Sequence, residues 1–266
     1  YSSKFMGTFD GNGHKIYKLT STTNTIDLTG IFGYAERAVI KNLGVEDINF
    51  SGYSSYKGAL AGYAFSCTIS ECHSTGKIDS SYLGTATGGL IGHQDYGVVR
   101  NCHSSVSIKS RGSIGGLIGY QSNGDIKNCY STGPVVSTDN SLYAGGLIGY
   151  SLQSRITNSY ATGTVTSTYY AGGLVGYNAG TNINNCYAIG TVSGGYNKTG
   201  GLVGYNSEPL QNCFWDIESS QCSSGIGEGF GDGISGKTTA EMKLLSTFTN
   251  AGWDIADIYG SDRTVW

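Results

Sequence analysis

The residues with the most obvious chemistry are two Cys-His pairs, Cys72-His73 and Cys102-His103. Thiolate and imidazole are zinc ligands, so the pairs suggest a metal site at first sight. Their adjacency argues against it, because neighbours on a strand point to opposite faces and cannot readily share an ion. The same two positions recur with other residues, as Cys129-Tyr130, Ser159-Tyr160, Cys186-Tyr187 and Cys213-Phe214. The histidines therefore read as members of an aromatic column. Two acidic Gly-rich strings are candidate calcium loops. Gly227 to Ser235 (GEGFGDGIS) partly matches the GGxGxDxUx nonapeptide, but that site needs consecutive copies and the string occurs once. Asp10 to Gly13 (DGNG) is a turn signal and lacks the spaced acids of an EF-hand. No Ser/His/Asp order and no HExxH is found. Nor do the charges gather into the acidic or basic groove that a polysaccharide-cleaving β-helix needs. The expectation is a chain with no catalytic residue, no metal and no cofactor.

The element that must position these residues is an internal repeat. Strings of the form Gly-Gly-Leu-Ile/Val-Gly-Tyr end at Tyr34, Tyr63, His93, Tyr120, Tyr150, Tyr177 and Tyr205, so their steps are 29, 30, 27, 30, 27 and 28 residues. A second column keeps nearly the same step through Leu43, Cys72, Cys102, Cys129, Ser159, Cys186 and Cys213. A unit this short and Gly-rich cannot bury a core alone, so it must stack on its neighbours. Val, Ile, Tyr and Thr punctuated by Gly predict short strands and turns, and no unit shows a 3.6-residue apolar period. The predicted fold is all-β, a parallel β-helix of about seven coils, roughly 34 Å long at one strand spacing per coil. A β-propeller is the competing architecture, but its blades need about 40–45 residues.

Composition agrees and removes other classes. The 266 residues include 43 Gly, 20 Tyr and only 2 Pro, and 13% are charged. With 16 Lys+Arg against 19 Asp+Glu the net charge is −3, which does not suit a nucleic-acid binder. No run of about 18 apolar residues predicts a membrane span. The chain opens at Tyr1 without a charged-then-apolar leader, which reads as a processed or excised piece.

The GGLVGY strings resemble the GLUG motif of large bacterial and archaeal secreted and surface proteins. The opening Phe5 to Leu19 (FMGTFDGNGHKIYKL) is similar to the start of such repeat regions. Asn212 to Asp216 (NCFWD), Gly236 to Lys243 (GKTTAEMK) and Ala251 to Asp254 (AGWD) are similar to how they end. The resemblance implies a right-handed β-helix and an extracellular or cell-surface setting. Members of the family occur in adhesin-like proteins, beside peptidases and among carbohydrate-active proteins. The motif carries no catalytic residues, so the resemblance implies no activity.

Stacking assigns a role to each column. Asn42, Asn101, Asn128, Asn158, Asn185 and Asn212 are expected to form a side-chain amide ladder. Cys72, Cys102, Cys129, Cys186 and Cys213 are expected to be mostly free thiols filling a tight inward column. Cys213 with Cys222 is a candidate disulfide, and Cys67 a candidate intermolecular thiol, since an odd count leaves one unpaired. Asn49 and Asn197 head glycosylation sequons. Thr238 and Glu241 form a capping-box signature, predicting a short amphipathic helix from about Thr239 to Phe248 that caps the last coil, with Trp253 and Trp266 adding apolar cover. We therefore expect a β-helix domain over 1–235 and a C-terminal cap over 236–266. The expected role is a non-enzymatic rod in a surface layer, sheath, fibre or adhesin stalk, associating with itself along the axis or through cysteines. A carbohydrate-binding module, or part of a polysaccharide-degrading protein, is the alternative, with surface glycans as partners.

Overall fold

A computed structural model describes residues 3–22, 28–80, 84–138, 142–194 and 198–254. It is a parallel β-solenoid of about seven turns. One turn runs through the short strands Ser113–Gly115, Ile118–Ser122, Asp125–Lys127, Tyr130–Ser131 and Val135–Ser137. The next repeats the path through Tyr143–Gly145, Ile148–Leu152, Arg155–Ala161 and Val165–Ser167. Among the described residues the pairings between turns are parallel, and like residues meet: Tyr120 faces Tyr150, Ile126 faces Ile156, and Tyr130 faces Tyr160. The first strand of each turn belongs to a separate sheet whose seven rungs run from Leu28–Thr29 to Thr199–Gly200.

The Gly-Gly-Leu string is the corner where the small sheet turns into the next strand. A Cβ on Gly115 would lie 2.0 Å from the Ile118 carbonyl oxygen, and one on Gly116 2.1 Å from the Gly146 oxygen of the following turn. Neither contact leaves room for a side chain. The Leu and Ile/Val that follow point inward. Leu90, Leu117, Leu147, Leu174 and Leu202 are fully buried, as are Ile91, Ile118, Ile148, Val175 and Val203. One inward row is polar instead, with Gln94, Gln121, Ser151, Asn178 and Asn206 stacked in register and all fully buried.

The C-terminal segment differs from expectation in form and place. It makes two short helices, α1 (Thr239–Met242) and α2 (Leu245–Thr249), with Leu244 in an extended conformation between them. The capping box at Thr238 and Glu241 is present. Met242 and Phe248 are buried against Tyr187 and Phe214, with Trp253 alongside, so the segment covers the outer flank of the last turns. Trp266 lies outside the described residues. The strand Ile234–Lys237 runs across residue 235 and pairs with Cys213–Asp216. No helix among the described residues is long and apolar enough to cross a membrane.

Candidate functional site

Two aromatic ladders climb the outside of the solenoid. The first links Tyr34, Tyr63, His93, Tyr120, Tyr150, Tyr177 and Tyr205, with ring centroids 4.3–5.1 Å apart. Rings Tyr120, Tyr150 and Tyr177 are nearly parallel, at 7° and 4°. Tyr56, Tyr143 and Tyr170 of the small sheet lean against this ladder, mostly edge-on or tilted. The second ladder is His73, His103, Tyr130, Tyr160 and Tyr187, stacked within 5° at 4.6–5.0 Å, and Phe214 follows in register. Where the rings are parallel their faces cover one another, so Tyr150 and the interior members of the second ladder offer edges, not faces, to solvent, whereas His93 is tilted against both of its neighbours, by 51° and 58°.

His93 interrupts the first ladder with an ionisable ring. Both of its ring nitrogens are buried without a hydrogen-bond partner. Burial holds its pKa down, to about 4, against a small opposing pull from Asp95. His73 differs, because its Nε2 meets Glu46 Oε1 at 2.8 Å, and Lys15 Nζ reaches the same oxygen at 2.7 Å. As expected from strand alternation, Cys72 and Cys102 are buried while the following histidines sit on the outside. Among the described residues no group of three or more His, Cys, Asp or Glu is placed to hold a metal ion.

The asparagine column forms a continuous ladder over its upper part. Asn128 Nδ2 donates to Asn101 Oδ1 at 3.1 Å, and Asn158, Asn185 and Asn212 each donate to the rung below at 3.4 Å. Asn42 is separated from these by Glu71, and donates instead to Asp10 Oδ1 at 2.9 Å. That bond is the largest cause holding the Asp10 carboxyl down, at about 2. All six asparagines have φ between 50° and 54°. The residue type thus answers two demands, a left-handed corner and an amide that bonds along the axis.

All seven cysteines are free and buried. Cys213 and Cys222 are therefore not bridged: Cys213 Sγ lies 3.1 Å from the Gln211 carbonyl, and Cys222 Sγ 3.8 Å from the Val192 carbonyl. Cys67, the candidate intermolecular thiol, has no exposed surface in the folded chain. In the column itself each thiol bonds the carbonyl two residues earlier, at 3.1–3.3 Å. Burial raises the thiols of Cys67, Cys102, Cys186 and Cys222, and the contact with Cys102 raises Cys72 further. Asn49 is exposed on the strand Gly44–Ser51, whereas Asn197 lies outside the described residues.

Sequence reasoning missed two features. Lys57 is fully buried, in an inward row otherwise filled by Thr29, Thr87, Ile114, Ala144, Ala171 and Thr199. Its Nζ donates to the Ser51 and Gly52 carbonyls and to Ser80 Oγ, and burial lowers its pKa to about 8. The available signal was a charged residue immediately before Gly58, where the sister repeats carry Thr, Ile or Ala. The second feature is a cluster at the far end of the first ladder. Lys198 Nζ lies 3.0 Å from Tyr170 Oη, 3.2 Å from Glu228 Oε2, and 4.7 and 4.8 Å from the Tyr170 and Tyr169 ring centroids. Glu228 also accepts from Tyr170 Oη at 3.0 Å. Only the fold brings these residues together.

The GLUG motif family profile matches four consecutive stretches, 84–109, 110–137, 140–166 and 167–193. A search of curated proteins finds no match. Among solved structures, the chain is similar to a Bacteroides ovatus protein provisionally assigned as an immunoglobulin A1 protease, with 22% identity, a TM-score of 0.59, and coverage of 88% of this chain and 70% of that one. It is also similar to a structure named IgA1 protease, with 19% identity and a TM-score of 0.55, over 75% of this chain and 16% of that one. At these identities the likeness concerns the fold.

Proposed function

For a chain that carries four tandem GLUG motifs on a parallel β-solenoid, we propose a non-enzymatic role as a rigid extracellular rod, an adhesive or structural segment of a surface protein. The observation that carries this reading is the continuity of the ladders. Rings stack on rings and amides bond amides along the axis, and the column thiols donate to backbone carbonyls, so the groups that could do chemistry are engaged in holding turns together. A stack of this kind resists bending because every rung would lose contacts at once. The shared fold with proteins named as IgA1 proteases fits an extracellular setting, and the larger of them shows the fold as a small part of a longer chain.

The test is carried out on producing cells. Antibody against the folded chain should label intact cells, and in-frame removal of whole turns should reduce attachment or layer integrity without abolishing export. The purified chain should leave immunoglobulin A1 uncut. Cleavage of that substrate, or labelling only after cell lysis, contradicts the proposal.

A further inference from the structure

One corner inside the solenoid holds a complete shell for a cation. Lys57 ends the strand Tyr56–Lys57 and has no exposed surface. Its ammonium carries three N–H groups, and three oxygens meet them. The Gly52 carbonyl lies 2.8 Å from Nζ, Ser80 Oγ 3.2 Å and the Ser51 carbonyl 3.3 Å. Gly52, at φ 76°, stands where the chain turns between the strands Gly44–Ser51 and Tyr56–Lys57. Ser80 Oγ in turn donates to the Gly52 carbonyl, so oxygens from two successive turns are tied together. All three are neutral. Lys57 makes no ion pair among the described residues, and burial is the one influence on its charge. The next turn closes the same place differently. Thr87 is in register with Lys57, and Ser110 follows Lys109, the register partner of Asp79, as Ser80 follows Asp79. There Thr87 Oγ1 and Ser110 Oγ bond each other at 2.8 Å, and no ion is needed. Carbonyl and hydroxyl oxygens without a carboxylate are the donor set of a monovalent cation. Calcium and magnesium sites draw on carboxylates.

We propose that the oxygens of Ser51, Gly52 and Ser80 form an internal site for a monovalent cation, filled here by the tethered Lys57 ammonium, and that the site takes a free ammonium or potassium ion when the tethered one is removed. A tethered ion cannot be washed out, so this level of the rod keeps its cation whatever the salt outside. Replacing Lys57 with alanine leaves three buried oxygens without a donor, and it opens the room that the lysine stem fills. The inference goes beyond the rod reading, and the two fail separately, since ion binding is measured on purified protein and does not depend on where the rod is placed.

The experiment compares the intact chain with Lys57→Ala and Lys57→Met at neutral pH, in the chlorides of ammonium, potassium, sodium and tetramethylammonium at equal ionic strength. The parent should melt alike in all four salts. Lys57→Ala should melt below the parent in tetramethylammonium, which is too large for the site and has no N–H. In ammonium or potassium at about ten times the Kd, its Tm should rise by roughly 3 °C. Lys57→Met, whose side chain keeps the stem's space filled, should show no such rise. In the parent itself, 15N NMR should show the Lys57 ammonium protons, sheltered from exchange with water, at a pH where those of exposed lysines are lost. Absence of that signal, a Lys57→Ala chain that melts alike in all four salts or folds in none, or an equal rise in Lys57→Met overturns the proposal.

Discussion

His93 shows how one residue sets a local pH limit. Its ring is packed against Tyr56, Tyr63 and Tyr120, none of which presents an acceptor to its nitrogens, and among the described residues Asp95 is the one charged group acting on it. Its folded pKa of about 4 lies below the ordinary 6.5, so the unfolded chain takes up the proton first. Stability is therefore fully present above pH 6.5 and is lost as pH falls through the window toward 4. At about 1.4 kcal/mol per pH unit the full loss across that window is about 3 kcal/mol. His93→Tyr should remove that acid-side slope, measured by urea unfolding from pH 7 to 4. An unchanged slope would show that the sensitivity lies elsewhere. Lys57 belongs to the same scale: it is a charge buried among neutral oxygens, and no periodic pattern in the sequence announces where its ammonium goes.

At the scale of elements, the left-handed corner and the amide ladder make separable contributions. Asn128→Ala loses both the amide bonds and a residue suited to φ of 53°, and should cost about 2 kcal/mol. Asn128→Gly keeps the backbone freedom and loses only the amide, so its Tm should fall between those of the parent and the Ala variant. Equal losses would mean that the ladder bonds contribute everything. The thiol column gives a second prediction. A maleimide reagent should modify no cysteine in the folded chain and all seven in denaturant, because every thiol is buried. Modification of Cys67 without denaturant would refute the packing described. These elements are largely legible in the sequence, because residues that meet along the axis recur every 27 to 30 positions, which makes the Asn, Cys and Tyr columns periodic. The C-terminal segment was less so. Its capping box marks where a helix begins, but the break at Leu244 follows from fitting Met242 and Phe248 onto Tyr187 and Phe214, which lie 28 residues or more away in sequence. The disulfide candidate failed for a related reason: a nine-residue interval says nothing of where two thiols point, and Cys213 and Cys222 face different carbonyls.

At the scale of the molecule the chain behaves as a stack in which each turn contacts mainly its neighbours. The ends are where this economy stops, and no repeat column extends to them. Lys198 and Glu228 belong to no column, and their pairing follows only from the ladder ending at Tyr205. The most direct test of the stacked architecture is to delete 113–169, which removes two whole turns and brings Gly112 to Tyr170, the register equivalent of Ser113. Deleting 113–155 instead ends partway through a turn. The whole-turn deletion should fold with a cooperative melt and a rod shortened by about 10 Å in small-angle scattering. The part-turn deletion should unfold or aggregate. If both deletions fold equally well, or neither does, the turns are not interchangeable layers on a common axis.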